Sequence, residues 1–299
     1  MLNIERAWQS PRALQALTGV SRTGFEQLES RFTAVVGEQR AKRRYKRASG
    51  AGRKHTLRTR RAKLFFILLY LKCYPTFDVA GLLFEVDRSR ACRWVGEWLP
   101  LLETVLGRVA VLPARQIRSV AEFLQRFPEV HDLFIDGTER PTQRPQQAAQ
   151  QRARYSGKKK RHTVKNVIGN DATKRIVLLG ETQGGRVHDY PLLQASGWLP
   201  QLPAGLRLWV DRGFQGLEQA APHLQVFQPS KKPRGGRLPQ WARGLNRLVA
   251  KVRVRAEHAS AGIKRLRCLT DVYRNRRQAM EDHLMVVGCG LWNLQLQRA

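Results

Sequence analysis

Between His131 and Thr182 the chain carries three successive runs with the texture of β-strands, and no other feature constrains its fold as tightly. HDLFID (131–136) is a short apolar run that ends in an acid, HTVKNVIGND (162–171) alternates, and KRIVLLGET (174–182) is apolar and β-branched. Gly169-Asn170-Asp171, between the last two, is a hairpin turn signal. A helix is expected over Asp189–Ser196. LRLWVDRG (206–213) then reads as a second buried strand ending in an acid, and QVFQPS (225–230) as a further strand candidate. Gln240–Leu269 reads as a long basic helix and Met280–Leu296 as a closing one. This succession predicts an α/β fold, a mixed sheet with flanking helices.

The first part of the chain reads differently. Residues 1–38 hold two short amphipathic helix candidates, bounded by Ser10-Pro11 and by Thr18 to Ser21. The stretch from Arg40 to Gly52 lacks apolar periodicity and reads as a flexible linker. Leu57–Tyr74 is expected to be one apolar helix ended by Pro75, Thr76–Phe84 a short second helix, and the segment from Arg88 toward Leu106 a third, with Asp87 as its N-cap. A short helix, a tight turn and a longer helix opening with Arg88, Arg90 and Arg93 fit a helix-turn-helix, with Cys92, Val95 and Leu99 facing the bundle. Any three-helix bundle gives a related pattern. The expected divisions are 1–52 for the first helices and basic linker, 53–112 for the helix-turn-helix region, and 129–299 for the sheet domain.

Charge narrows the partners. The 299 residues carry 54 Lys and Arg against 23 Asp and Glu, a net charge of +31. Such an excess repels itself unless a polyanion neutralises it, and nucleic acid is the obvious one. The charge is clustered: Arg40–Arg61 and Lys231–Arg255 contain no acid, and Lys158, Lys159, Lys160 and Arg161 form a third block. Each block alone also fits a solvated surface. A ribosomal protein would be as basic but poorer in long apolar segments. Cys73, Cys92, Cys268 and Cys289 form no CxxC pair, so they read as buried thiols of a reducing compartment. The first residues lack the order of a secretory signal, and the longest apolar run, Leu64–Leu71, is too short for a bilayer. A cytoplasmic, nucleoid-associated bacterial protein with no membrane partner is expected.

Three acids stand out. Asp136 in FIDGT and Asp211 in WVDRG each follow a buried strand. If the strands are neighbours, both carboxylates project into one crevice and need a cation between them. Each alone also fits a plain turn residue. Glu257 lies on the basic helix, and Arg253, Glu257 and Lys264 fall within about 40° of one helical stripe. His162, His188 and His258 are isolated, and His188-Asp189 reads as a helix start.

The order FIDGT, YSGKKKRHTVKN, WVDRGF and RxxxExxxxxxK resembles the DDE transposases of bacterial insertion sequences, from about Thr56 onward. That resemblance implies a ribonuclease-H-like fold behind a helix-turn-helix. It places the catalytic, metal-binding triad on Asp136, Asp211 and Glu257, with two Mg²⁺ ions for which Mn²⁺ substitutes. It implies cleavage of element-end DNA and transfer of the freed 3′-OH into target DNA by a homodimer on double-stranded DNA. Arg88, Arg90, Arg93, Lys158, Lys159, Lys160, Arg161, Arg253 and Lys264 would contact that DNA. Ala250 stands where a related signature has Tyr. A decayed or domesticated DNA-binding copy, and a metal-dependent endonuclease that cuts without joining, stay open as alternatives.

Overall fold

In a computed structural model, residues 2–42, 56–233, 235–277 and 279–297 are described. The chain divides into two units. One contains residues 1–112, 264–271 and 277–299; the other contains 113–263 and 272–276. The expected 129–299 domain is therefore split, because its last segments belong with the first helices.

The first unit opens with α1 (Ile4–Gln9), α2 (Pro11–Thr18) and α3 (Arg22–Lys42). Asn3 and Ser10 cap α1 and α2 by accepting from Arg6 N and Ala13 N at 2.8 and 3.3 Å. Two helices were expected before residue 38. The third, α3, exists because Phe25, Leu28, Phe32 and Val35 bury one face along it. Arg40–Lys42 continue α3, and the rest of the basic linker through Gly52 lies outside the described residues. Then come α4 (Arg60–Cys73), α5 (Phe77–Phe84) and α6 (Arg88–Arg108). In α4 every residue from Leu64 to Leu71 is buried. Phe66 meets Phe84, Trp94 and Trp98 edge-on at 5.0, 5.2 and 5.5 Å, which joins the three helices.

The second unit is built on a sheet. Its elements are α7 (Val120–Arg126), β1 (Asp132–Pro141), α8 (Ala148–Arg154), β2 (Tyr155–Ser156), β3 (Arg161–Asn170), β4 (Ile176–Leu179), β5 (Gln183–Gly184), α9 (Asp189–Ala195), β6 (Arg207–Trp209), α10 (Leu217–Ala220), β7 (Gln225–Phe227) and α11 (Gln240–Ile263). The strand order is β2-β3-β1-β6-β7, with β4 and β5 also paired to β3. β3 runs antiparallel to β1 and β4, whereas β6 is parallel to β1 and to β7. This is the mixed, ribonuclease-H-like sheet that the resemblance implies. The β3–β4 turn falls later than expected. Gly169 and Asn170 stay in β3, and the Asp171 carboxylate organises the turn by accepting from Thr173 N and Arg175 N at 2.8 and 3.0 Å. One sheet face buries Leu133, Ile135, Val167, Leu208 and Val210 in a core with Leu192, Leu193 and Trp198.

The last helix, α12 (Met280–Leu296), returns to the first unit. It is buried on nearly every side, and a helix apolar all round belongs inside a core. Asn293 Nδ2 donates to Val111 O at 2.8 Å, and His283 Nδ1 lies 2.6 Å from Glu103 Oε2 on α6.

Candidate active site and DNA-binding surfaces

The parallel pairing of β1 with β6 aligns Asp132 with Arg207, Leu133 with Leu208 and Phe134 with Trp209. Two residues beyond the last pair stand Asp136 and Asp211. Asp136 does not close its strand as expected, because β1 stays paired with β3 through Pro141; it lies within β1, while Asp211 follows the end of β6, and both are half-buried. Side chains alternate along a strand. Leu133, Ile135, Leu208 and Val210 enter the core, so both aspartates share the parity of Phe134 and Trp209. Those two rings stack at 6.0 Å, and Trp209 stacks on Phe227 at 4.3 Å. α11 packs on β1, with the Arg255 guanidinium 6.0 Å from the Phe134 ring. Asp211 Oδ1 accepts from Gly213 N at 2.7 Å, which fixes the carboxylate.

Along α11, Ala242, Val249, Ala256, Ser260 and Ile263 form the buried seam. Arg253 lies on that seam, half-buried, and its buried Nε has no hydrogen-bond partner among the described residues. Glu257 follows Ala256 and is exposed at the seam's edge. The expected stripe stops there. α11 ends at Ile263, and Lys264 sits exposed in the following turn, as part of the first unit. The helix ends because Leu266, Cys268 and Leu269 leave it to be buried there. Among the described residues no three His, Cys, Asp or Glu side chains gather closely enough to hold a metal ion. The register leaves Asp136 and Asp211 on neighbouring strands, two residues past the last β1–β6 pair.

A fourth acid was missed by the sequence reading. Asp189 begins α9, behind the N-cap His188, whose side chain makes no capping bond. The Asp189 carboxylate stands against the glycines that follow both aspartates. A Cβ on Gly137 would lie 2.7 Å from Asp189 Oδ1, and one on Gly213 would lie 3.2 Å from Oδ2. Only glycine leaves this room. Lys165 Nζ reaches Asp189 Oδ1 at 3.3 Å, Val187 O at 3.1 Å and Glu139 Oε2 at 4.0 Å. Thr163 Oγ1 donates to Glu139 Oε1 at 2.6 Å. Lys165, four residues beyond the Lys158–Arg161 block, is buried in this network. The available signal was DGT and DRG, two glycines close behind the aspartates; what they make room for is a tertiary fact.

The basic segment after α8 is a hairpin. Lys158, Lys159 and Lys160 occupy the turn between β2 and β3, and Arg161 begins β3, all exposed. Lys159 N donates to Ser156 Oγ at 3.2 Å.

In the first unit, α5 and α6 meet at the turn Glu85-Val86-Asp87. Gly81 makes the turn possible, since a Cβ there would lie 2.6 Å from Val86 O. Asp87 caps α6 by accepting from Arg90 N at 2.9 Å. The Ser89 hydroxyl and this N–H hold its carboxyl below the usual aspartate range. Arg88 and Arg93 are exposed and Arg90 is half-buried. Arg88 and Arg90 make only long, exposed pairs, with Asp78 and Asp87, each at 3.9 Å. The buried face of α6 is Ala91, Trp94, Val95, Trp98 and Leu99, so Val95 and Leu99 sit as expected. Cys92 is only half-buried, because the two tryptophans occupy the face assigned to it.

Comparison with known proteins agrees with this architecture. Residues 135–293 match the DDE superfamily endonuclease family, and residues 55–108 match the helix-turn-helix of DDE superfamily endonucleases. The chain belongs to the DDE superfamily endonucleases. It is also 28% identical over 301 residues to the probable transposase for insertion sequence element IS702 of Microchaete diplosiphon, covering 99% of each chain. No solved structure matches significantly. Together the helix-turn-helix and the endonuclease domain make DNA the ligand of this chain. Among the described residues no helix is long and apolar enough to cross a membrane.

Proposed function

We propose that this chain is a transposase that cleaves the ends of an insertion element and transfers the freed 3′-OH into target DNA. The observation that supports the reading is the parallel β1–β6 register, whose last pair, Phe134 with Trp209, lies two residues before Asp136 and Asp211. Two half-buried carboxylates at one level are a hard-oxygen donor set suited to Mg²⁺ or Mn²⁺. Asp136 and Asp211 would hold the ions, and Glu257 would complete the set from α11. Divalent ions bound there supply Lewis acidity and an activated water for in-line phosphoryl transfer. Around them, Gly213 N orients Asp211, and Asp189, paired with Lys165, stands against Gly137 and Gly213. Arg253, half-buried on the same helix as Glu257, would meet a phosphate through its guanidinium. Arg88, Arg90 and Arg93 would set the element end in register, and Lys158 to Arg161 would hold the backbone elsewhere. A dimer would hold two ends together.

The test uses labelled duplexes carrying the inverted repeats that flank the gene, with Mg²⁺ or Mn²⁺. Wild type is expected to cut and to join the ends to a target plasmid. Asp136→Ala, Asp211→Ala and Glu257→Ala should each drop to background while retaining DNA binding. Full activity in any one removes that residue from the triad. Cutting without joining by wild type would make the chain a plain endonuclease.

A further inference from the structure

A cavity of about 860 Å³ opens in the second unit, between the β2–β3 hairpin, α8 and the segment leading into α9. Arg144, Arg152, Lys158 and Arg186 line it, together with Tyr155, and its only lining acid is Asp189, already paired with Lys165. The cavity therefore carries a net positive charge. Its volume falls within the range of roughly 300–1,000 Å³ typical of small-ligand clefts.

Tyr155 is 44% exposed and meets the His162 ring edge-on at 5.7 Å. That contact steadies the phenol while leaving ring surface open. The wall behind it is closely built. A Cβ on Gly184 would lie 2.3 Å from Ala153 O, and Arg186 N donates to Ala153 O at 3.2 Å. The loop carrying Arg186 is thus pinned to the end of α8. An aromatic face among cations suits a base and its phosphates together, because every base has a π-face and every linkage a negative charge. Stacked bases of an intact duplex offer no free face, so the occupant must be unpaired. Asp189 locates the cavity. It lines the wall and also stands against Gly137 and Gly213, the glycines that follow the two aspartates.

From this we infer that the cavity receives an unpaired nucleotide of the DNA substrate, its base on Tyr155 and its phosphates on Arg152, Lys158 and Arg186. This rests on the reading of the chain as a DNA-processing enzyme, but not on joining.

The test is binding by the full-length protein in EDTA, where no cutting occurs. The probes are a blunt 30-base-pair duplex and the same duplex with a three-nucleotide single-stranded overhang carrying 2-aminopurine. Wild type should bind the overhang probe about tenfold more tightly, as one stacked base predicts, and quench its fluorescence. Tyr155→Phe should keep both effects. Tyr155→Ala should lose both and bind the blunt probe unchanged, with an unaltered circular dichroism spectrum. Equal wild-type affinity for both probes overturns the inference, as does a preference that survives Tyr155→Ala. Loss of cutting and joining with the overhang preference intact would sink the transposase reading and leave this one standing.

Discussion

At the scale of single residues, the candidate site depends on two hydrogen atoms, those that Gly137 and Gly213 carry where other residues have a Cβ. Gly137→Ala would place a methyl 2.7 Å from Asp189 Oδ1 and force either the carboxylate or the middle of β1 to move. A shift of about 1 Å near the reacting atoms costs on the order of a hundredfold in rate. Single-turnover cleavage by Gly137→Ala should fall by about that factor, with little change in DNA affinity. Gly37→Ala, where nothing lies within 4 Å, should leave the rate alone and serve as the control. Undiminished cleavage by Gly137→Ala would show that Asp189 has slack. The sequence made Asp136 and Asp211 legible because an acid closing a buried run is a local pattern. Asp189 and Lys165 were not legible, since a helix-start aspartate and a lysine in a basic run have ordinary local explanations.

At the scale of elements, the α5–α6 corner was readable almost residue by residue. Thr76 and Asp87 are strong capping residues, Pro75 follows the end of α4, and Gly81 lies inside an otherwise apolar helix. These are signals of local chemistry, which is why the helix bounds came out close. The face of α6 was less legible: Trp94 and Trp98 displace Cys92 because ring packing against Phe66 selects them. The Asp87 cap also makes a prediction about acid. Its carboxyl is held below the ordinary value of 3.8 in the folded chain. Stability from the cap is therefore present above that value and lost as pH falls through the folded one. Thermal unfolding of Asp87→Asn against wild type should show wild type ahead near neutrality, with the gap closing below about pH 4. A gap independent of pH would mean that charge at the cap does not matter. On α11 the expected helix holds Arg253 and Glu257 one turn apart but ends before Lys264. The periodicity of a basic helix does not reveal where tertiary burial pulls the chain out of it.

At the scale of the whole molecule, +31 is a statement about salt. If six or more phosphates are met, affinity for DNA should fall by about three orders of magnitude or more between 50 and 200 mM salt. Titration of a labelled duplex at several salt concentrations checks this, and a flat profile would remove the polyelectrolyte argument. The mixed sheet was legible as a class because strand and helix textures follow one another in order. The partition of the chain was not, since α12 looks like any closing helix and only its partners show where it belongs. That placement has a consequence in time. The first unit takes residues from both ends of the sequence, and its core includes Leu284, Val287, Leu291 and Leu294. A ribosome that has finished α6 must still add some 180 residues, roughly 10–40 s of synthesis, before that core can close. The sheet unit, encoded between, is free to form during that interval. The sheet unit is thus fully synthesised, through residue 276, before the last segment of the first unit's core, and termination before α12 would remove that segment from the first unit alone.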